Sequence, residues 1–112
     1  MNLVPLHRYD GICLCETHIA GSSHVPDFAR LKDMLIFGVK LNLVRELENP
    51  HDGWAIRIDY PESGQKLGYV PRSINQVPAR LMDAGKELYA QVVGLSQESD
   101  MEFVRIALIM KD

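Results

Sequence analysis

Hydrophobic and polar residues alternate along several short stretches of the chain, which is the pattern of β-strands that bury one face. This alternation, together with runs of β-branched and aromatic residues, predicts five or six strands within residues 12–20, 39–47, 54–60, 66–70, 87–95 and 102–110. In the third of these stretches, Trp54 shares a face with Ile56 and Ile58. We therefore expect the Trp54 side chain to lie in the core rather than to form a ligand platform.

Two other stretches carry apolar residues at the spacing of a helix. In residues 28–35, Phe28, Leu31 and Leu35 recur every three or four positions, and Asp27 stands before them as an expected N-cap. The loop sequence GSSHVPD leads into this stretch. The pattern predicts one short helix after the first strand.

The second helical stretch follows the fourth predicted strand. It is expected to begin near residue 75 or 76, to place Val77, Leu81 and Met82 on one side, and to end at Gly85. A polar loop, SQESD at residues 96–100, is expected between the last two strands. The helices thus lie between strands instead of alternating with them regularly.

Closely spaced strands joined by turns favour a small closed or nearly closed β-barrel over a parallel α/β sheet. With 112 residues, the chain has room for one domain and one core. We expect residues 1–11 to be an N-terminal lead-in that ends at an Asp-Gly turn, and residues 12–112 to form a single domain.

Composition limits the classes of function. Apolar residues make up 46% and charged residues 24%, which is ordinary for a globular domain, and the net charge of −3 is not that of a strongly basic nucleic-acid binder. Nucleic-acid binding therefore requires a local basic patch. The sequence has neither an apolar run long enough to span a bilayer nor a secretory signal pattern, so we expect a cytoplasmic protein without a membrane partner.

Metal binding and a cofactor are not expected. Cys13, Cys15 and His18 offer three side chains of the zinc-ligand type, but a fourth ligand is missing and the spacing matches no established zinc motif. We expect the two cysteines to be free thiols. A chain of this length leaves no space for a separate cofactor domain.

Catalytic motifs are also missing from the sequence. There is no G-x-S-x-G, no glycine-rich phosphate loop and no H-E-x-x-H. Ser23 and His24 place a hydroxyl beside an imidazole, but without the strand-turn-helix elbow that exposes a nucleophile. His51 and Asp52 are neighbours on a turn, where side chains seldom point at each other. We expect that the protein is not an enzyme.

The turn at residues 49–53 has two interpretations. Asn-Pro favours the start of a turn and Asp-Gly its closure, so turn chemistry alone explains the segment. The wider sequence favours a binding site. NPHDGWAI is followed by GQKLGYVPR, preceded by HIAGSSH, and succeeded by RLMDAGKELYAQVVG. This ordered set resembles the HIRAN domain family from about Cys15 to the C-terminus.

The resemblance implies an OB-like or SH3-like β-barrel of five or six strands with two short helices. It also implies a non-catalytic module that binds single-stranded DNA, with a preference for a free 3′ end, as the domain does in fork-remodelling translocases. Here the module is expected to stand alone. A helicase or nuclease is a possible protein partner.

Individual site residues follow from the resemblance by position. Asp52 matches the carboxylate that meets the terminal 3′-hydroxyl, and His51 falls where DNA-binding members have a stacking tyrosine. Tyr69 matches a pocket-lining position and Arg72 a phosphate-contacting one. Phe103 matches a stacking aromatic residue near the last strand.

The opening turn departs from the family pattern. DNA-binding members have arginine and tyrosine where this chain has Ser23 and His24. The replacements remove a fixed positive charge and a large aromatic face, so we expect weaker or more conditional DNA binding.

A protein-interaction domain with an eroded DNA site is the alternative. DNA binding predicts that Arg45, Arg57, Arg72 and Lys66 cluster beside the turn at residues 49–53 as a basic spot. If these side chains are instead scattered, or if each is paired with a carboxylate, the arrangement favours a protein partner.

Overall fold

A computed structural model describes residues 9–112 of the chain. Most of the predicted lead-in, residues 1–8, lies outside the described residues. The described chain forms one antiparallel sheet with strand order β1-β6-β5-β2-β3-β4. Its strands are β1 (Ile12–His18), β2 (Lys40–Arg45), β3 (Ile56–Asp59), β4 (Lys66–Tyr69), β5 (Leu88–Glu98) and β6 (Met101–Met110).

The two predicted helices are present. Helix α1 spans Phe28–Lys32 and helix α2 spans Gln76–Asp83, while a single 3₁₀ turn covers Ser22–His24. Helix α1 is shorter than expected, and Leu35 is buried just beyond its end. Helix α2 begins where the sequence predicted.

The sheet curls until its two edges meet, which makes it a half-barrel and confirms the predicted β-barrel class. The edges are β1 and β4, and the chain just after β1 joins β4 through one antiparallel bridge. Ala20 and Tyr69 exchange two backbone hydrogen bonds there, each 2.8 Å long. We call this junction the seam.

Gly68 allows the seam to close. A β-carbon at this position would lie 2.4 Å from the Ala20 carbonyl oxygen and 2.6 Å from Cγ2 of Ile19. Its backbone φ of +151° is also one that residues with side chains rarely adopt. Close approach of two backbones is thus the reason that glycine stands in this strand.

The core fills the concave side of the half-barrel. Strand alternation places large aliphatic side chains inside, where burial supplies most of the stabilisation. Those that are almost fully buried are Ile19, Leu41, Ile56, Ile58, Leu67, Val70, Val92, Ile106 and Leu108. Ile109 is equally buried, but it packs with Tyr89 and Ala107 in a second, smaller cluster.

The prediction that Trp54 lies in the core is wrong. Strand β3 begins only at Ile56, so the preceding turn continues through Trp54 and the alternation does not extend back to it. The indole is 36% exposed, with the Arg45 guanidinium 6.0 Å and the Arg80 guanidinium 5.9 Å from its ring centre.

Two expectations about the helices are also wrong. Val77 is 67% exposed, because helix α2 turns Pro78 and Ala79 to the core instead. Asp27 precedes helix α1 with a left-handed φ of 60° and makes no side-chain capping hydrogen bond. Its side chain therefore does not act as the expected N-cap.

The predicted loop at residues 96–100 is shorter than expected. Strands β5 and β6 pair through Glu98 and Met101, so only Ser99 and Asp100 remain in the turn. Ser99 has a φ of 54°. Polar residues here occupy the exposed end of a long hairpin rather than a loop.

Gly68→Ala tests the closure of the seam. The added methyl group meets the Ala20 carbonyl and the backbone is strained, so we expect the free energy of unfolding to fall by at least about 2 kcal/mol in urea denaturation. Gly53→Ala is the matched control, because no atom lies within 4 Å of the added carbon. A loss as large in the control would contradict this account.

Candidate nucleic-acid interface

The turn at residues 49–53 is organised by its own side chains. The Asn49 Oδ1 atom accepts hydrogen bonds from the backbone N–H groups of His51 (2.9 Å) and Asp52 (3.1 Å). Asp52 Oδ1 in turn accepts a hydrogen bond from the backbone N–H of Trp54 at 2.9 Å. These contacts are Asx-type turns, and they fix the direction of the Asp52 carboxylate.

Glu46 anchors this turn to the sheet. Its Oε1 atom accepts hydrogen bonds from Asn49 Nδ2 (3.0 Å) and from the Tyr69 hydroxyl (2.8 Å), and its Oε2 atom accepts one from Arg57 Nη1 (3.1 Å). Burial raises the pKa of Glu46, but these hydrogen bonds outweigh burial and hold it below its ordinary value. One carboxylate therefore joins the turn, β3 and β4.

A cavity of about 340 Å³ opens where the seam meets the turn. Its walls come from the chain after β1, the turn at residues 49–53 and the end of β4. They are Ala20, Gly21, Asn49, His51, Asp52, Ala55, Tyr69, Val70 and Arg72. The volume lies near the lower end of the range of about 300 to 1,000 Å³ that is typical of small-molecule sites.

Asp52 places a half-buried charge in this cavity, with a side chain that is 15% exposed. Its Oδ2 atom accepts a hydrogen bond from Asn75 Nδ2 at 2.8 Å and lies 3.7 Å from Arg72 Nε. The Trp54 backbone N–H lowers the pKa of Asp52 most, and Asn75, Arg72 and Arg45 add to this against the effect of burial. The carboxylate is therefore held in its ionised form.

Arg72 places a positive charge at the mouth of the cavity. Its Nη2 atom donates to the His51 carbonyl oxygen at 2.9 Å, while its side chain stays 74% exposed. A second cation, the Lys66 ammonium, lies 4.6 Å from the ring centre of Tyr69. Carboxylate, guanidinium and aromatic faces thus meet at one opening.

The structure brings together His51, Asp52, Tyr69 and Arg72, four of the residues that the sequence singled out. Ser23 and Phe103 line a neighbouring cavity of about 460 Å³, which shares only Gly21 with the first cavity. His24 ends the 3₁₀ turn, is exposed, and lines neither cavity.

Sequence reasoning missed Asn75 and Glu46 as parts of the site. Asn75 is 2% exposed and precedes helix α2, where asparagine normally caps the helix, but its side chain makes no capping bond and binds Asp52 instead. Nothing in the neighbouring sequence distinguishes an asparagine that caps its helix from one that donates a hydrogen bond to Asp52. Glu46 stands three residues before Asn49 in the sequence, yet only the fold shows its three partners.

The predicted basic spot is only partly present. Arg45 donates to both carboxylate oxygens of Asp83, at 2.9 and 3.1 Å, and Arg57 does the same to Asp59, at 2.8 and 2.9 Å. Both guanidinium groups are therefore neutralised by carboxylates, as the alternative interpretation predicted. Arg72 and Lys66 remain beside the cavity.

Cysteine side chains lie on β1 at two positions. Cys13 and Cys15 are free thiols. Among residues 9–112, no three His, Cys, Asp or Glu side chains are grouped closely enough to hold a metal ion. Within the same range, no helix has both the length and the apolar character needed to cross a bilayer.

Two solved structures share this fold. A crystal structure of a protein from Lactobacillus plantarum is 32% identical and superposes with a TM-score of 0.70, over 88% of this chain and 95% of that one. The crystal structure of the HIRAN domain of human HLTF is 16% identical, with a TM-score of 0.64, over 88% of this chain and 76% of that one. No curated protein matches the chain.

The fold places the chain among small OB-like β-barrels. The family model described as "HIRAN domain" matches residues 12–107. The chain therefore belongs to the HIRAN domain family, as its motifs indicated. HIRAN domains are generally DNA-binding modules.

Glu46→Gln tests the anchor between the turn and the sheet. We expect the free energy of unfolding to fall by about 1 to 2 kcal/mol at pH 7, because the hydrogen bonds from Arg57 and Tyr69 lose their ionic acceptor. The pKa of Glu46 is lowered in the folded state, so its stabilisation is complete above the unfolded value of about 4.3 and is lost as the pH falls through the folded value.

The difference in stability between the natural chain and Glu46→Gln should therefore shrink between pH 5 and pH 3, as measured by urea denaturation at several pH values. A difference that stays constant over this range would exclude Glu46 as an ionised anchor.

Proposed function

We propose that the protein binds single-stranded DNA without catalysis and accepts a free 3′ end in the cavity between the turn at residues 49–53 and β4. The observation that carries this proposal is the ionised Asp52 carboxylate inside the cavity, with the exposed Arg72 guanidinium at its mouth. The carboxylate suits the 3′-hydroxyl of a terminal nucleotide, and the guanidinium suits its phosphate.

The carboxylate supplies the preference for an end. Asp52 Oδ1 and Oδ2 have one strong hydrogen-bond donor each within the protein, so lone pairs remain for a 3′-hydroxyl. A 3′-phosphate or an internal phosphodiester brings a negative charge to the same place. Two like charges about 4 Å apart repel each other by about 1 kcal/mol in water and by more in a partly buried site.

The aromatic side chains supply affinity for the base. His51 and Tyr69 both line the cavity, and stacking on a ring contributes about 1 to 3 kcal/mol per base. The Tyr69 ring is held in place by its hydroxyl bond to Glu46. An ordered ring loses less entropy when a base stacks on it.

Ser23, His24 and Phe103 stay predicted DNA contacts. The Phe103 ring lies beside the neighbouring cavity and contacts the His18 ring, with ring centres 4.9 Å apart and an angle of 57° between the ring planes. Phe103 belongs to the proposal through the family pattern, whereas Ser23 and His24 belong to it through their positions in the opening turn, where DNA-binding members have arginine and tyrosine.

A protein-interaction domain is the second candidate. The carboxylate pairing of Arg45 and Arg57 favours it, since a neutralised guanidinium attracts phosphate weakly. Failure to bind any oligonucleotide at low salt would favour this candidate over DNA binding.

Asp52→Asn tests selection of the 3′ end. The natural chain should bind a short 3′-hydroxyl oligonucleotide at least about fivefold more tightly than its 3′-phosphate form in fluorescence anisotropy, since about 1 kcal/mol of charge repulsion corresponds to this ratio. The variant should bind the two forms nearly equally. Asp33→Asn, which removes an exposed charge at the end of helix α1, is the control and should keep the preference. Equal binding of both forms by the natural chain would refute end recognition.

Arg72→Ala tests the phosphate contact. The variant should bind hydroxyl- and phosphate-ended oligonucleotides more weakly by similar factors, because it removes a cation that does not read the end group. In a salt titration, the slope of log affinity against log salt should become shallower by about 0.7, the value for one phosphate contact on a single strand. An unchanged slope would exclude Arg72 as that contact.

A further inference from the structure

Lys66 is a cation beside the cavity, and the proposed contacts with the terminal nucleotide leave it unused. It begins β4, is exposed, and has no carboxylate within 4 Å among residues 9–112. Its ammonium lies 4.6 Å from the centre of the Tyr69 ring, and Tyr69 lines the cavity. Lys66 therefore holds an unneutralised positive charge next to the cavity wall without being part of it.

An irregularity in β4 brings the Lys66 side chain to Tyr69. Tyr69 pairs with Arg57 of β3 and Lys66 pairs with Asp59, so β4 has one residue more than β3 over this interval. Residues three apart on a regular strand point to opposite faces, but the extra residue of a bulge restores them to the same face. The Asp59 carboxylate opposite Lys66 is already bound by Arg57, at 2.8 and 2.9 Å. This pairing leaves the ammonium available to a ligand.

The seam places Lys66 on the side of the cavity where the 3₁₀ turn lies. The bridge between Ala20 and Tyr69 is antiparallel, so the residues that precede Tyr69 run beside those that follow Ala20. Strand β4 accordingly lies next to the 3₁₀ turn at residues 22–24. Gly21, which follows Ala20, lines both the first cavity and the neighbouring one. Lys66 thus stands beside the passage that joins the two cavities.

The neighbouring cavity offers little free positive charge of its own. Of its charged wall residues, Lys32 is paired with Glu102, and Asp27 has no cation within 4 Å in the described part of the chain. A strand that crosses from one cavity to the other would meet a carboxylate without compensation. A free ammonium beside the passage supplies the charge complementarity that its phosphates need.

The size of the first cavity decides which phosphate meets this charge. A volume of about 340 Å³ has room for one terminal nucleotide rather than several, and Arg72 at the mouth suits the phosphate of that nucleotide. The next nucleotide therefore lies outside the first cavity. Its phosphate reaches the passage at Gly21, where Lys66 is the adjacent unneutralised cation.

We infer that Lys66 binds the second phosphate from the 3′ end of a DNA strand, whereas Arg72 binds the first. This inference rests on the proposed function and assigns the place of the nucleotide next to the end. A lysine ammonium suits a phosphodiester, because it is a point charge with three donors on a flexible stem. From there, the strand passes over Gly21 toward Ser23 and Phe103, the two proposed contacts in the neighbouring cavity.

Uncharged linkages at single positions test this assignment. The probes are labelled thymidine octamers with a free 3′-hydroxyl, either unmodified or with a methylphosphonate at the first, the second or the sixth linkage from the 3′ end. In fluorescence anisotropy at low salt, the natural chain should bind the second-linkage probe about threefold or more weakly than the unmodified octamer. Lys66→Gln should weaken binding of the unmodified octamer by a similar factor and make the salt slope shallower by about 0.7. The variant should lose nothing further on the second-linkage probe.

Three variants serve as controls. Lys66→Arg keeps the charge and should keep the sensitivity to the second linkage. Arg72→Ala should remove the sensitivity to the first linkage and keep that to the second. Lys86→Gln removes a lysine that is exposed, has no carboxylate within 4 Å among the described residues, and lines neither cavity. This last variant should respond to all four probes as the natural chain does, apart from a uniform small loss.

The outcomes separate the inference from the proposed function. If Lys66→Gln weakens all four probes equally, has no effect, or loses its effect at the first linkage instead of the second, the assignment of Lys66 is overturned. End recognition stays intact in each of these cases when the natural chain still prefers a 3′-hydroxyl to a 3′-phosphate. Failure of the natural chain to bind the unmodified octamer would overturn the proposed function and the assignment together.

Discussion

The candidate site depends on the three hydrogen bonds that the Glu46 carboxylate accepts. The donors are Asn49 in the turn at residues 49–53, Tyr69 on β4 and Arg57 on β3. Without this anion, the Asn49 amide and the Tyr69 hydroxyl would lack a common acceptor, and the turn would be held to the rest of the protein by the contacts of Arg45, Arg72 and Asn75 alone. Asp52 would keep its local contacts with the turn, but not its distance from the aromatic ring across the cavity.

The protein uses much of its positive charge for structure. Arg45 joins the turn to helix α2 through Asp83, and Arg57 joins β3 to Glu46 and Asp59. In a chain with a net charge of −3, this leaves few cations for a nucleic acid. The affinity of such a site must come mainly from an enclosed end group and from stacking, with a small contribution from counterion release. A site of this kind responds less to salt than a basic groove does.

Much of the fold was predictable, because alternation in the strands and the residues that start and end helix α2 are local properties of the sequence. Trp54 was mispredicted because the pattern does not reveal where a turn ends and a strand begins. The motifs located the site through their order along the chain. Their order could not reveal that Arg45 pairs with Asp83, a residue 38 positions away, or that Asn75 donates to Asp52 rather than to its own helix. Pairings between distant residues depend on the complete fold.

The seam has a consequence for dynamics. A single bridge with two hydrogen bonds joins Ala20 to Tyr69, whereas neighbouring strands elsewhere in the sheet are joined over several residues. Sparsely joined segments are the ones that open locally while the remainder of a protein stays folded. Both bridge residues also line the cavity, so a ligand that fits there binds only the closed form. Occupancy and closure are then thermodynamically linked, and ligand binding should slow hydrogen exchange at these two amides.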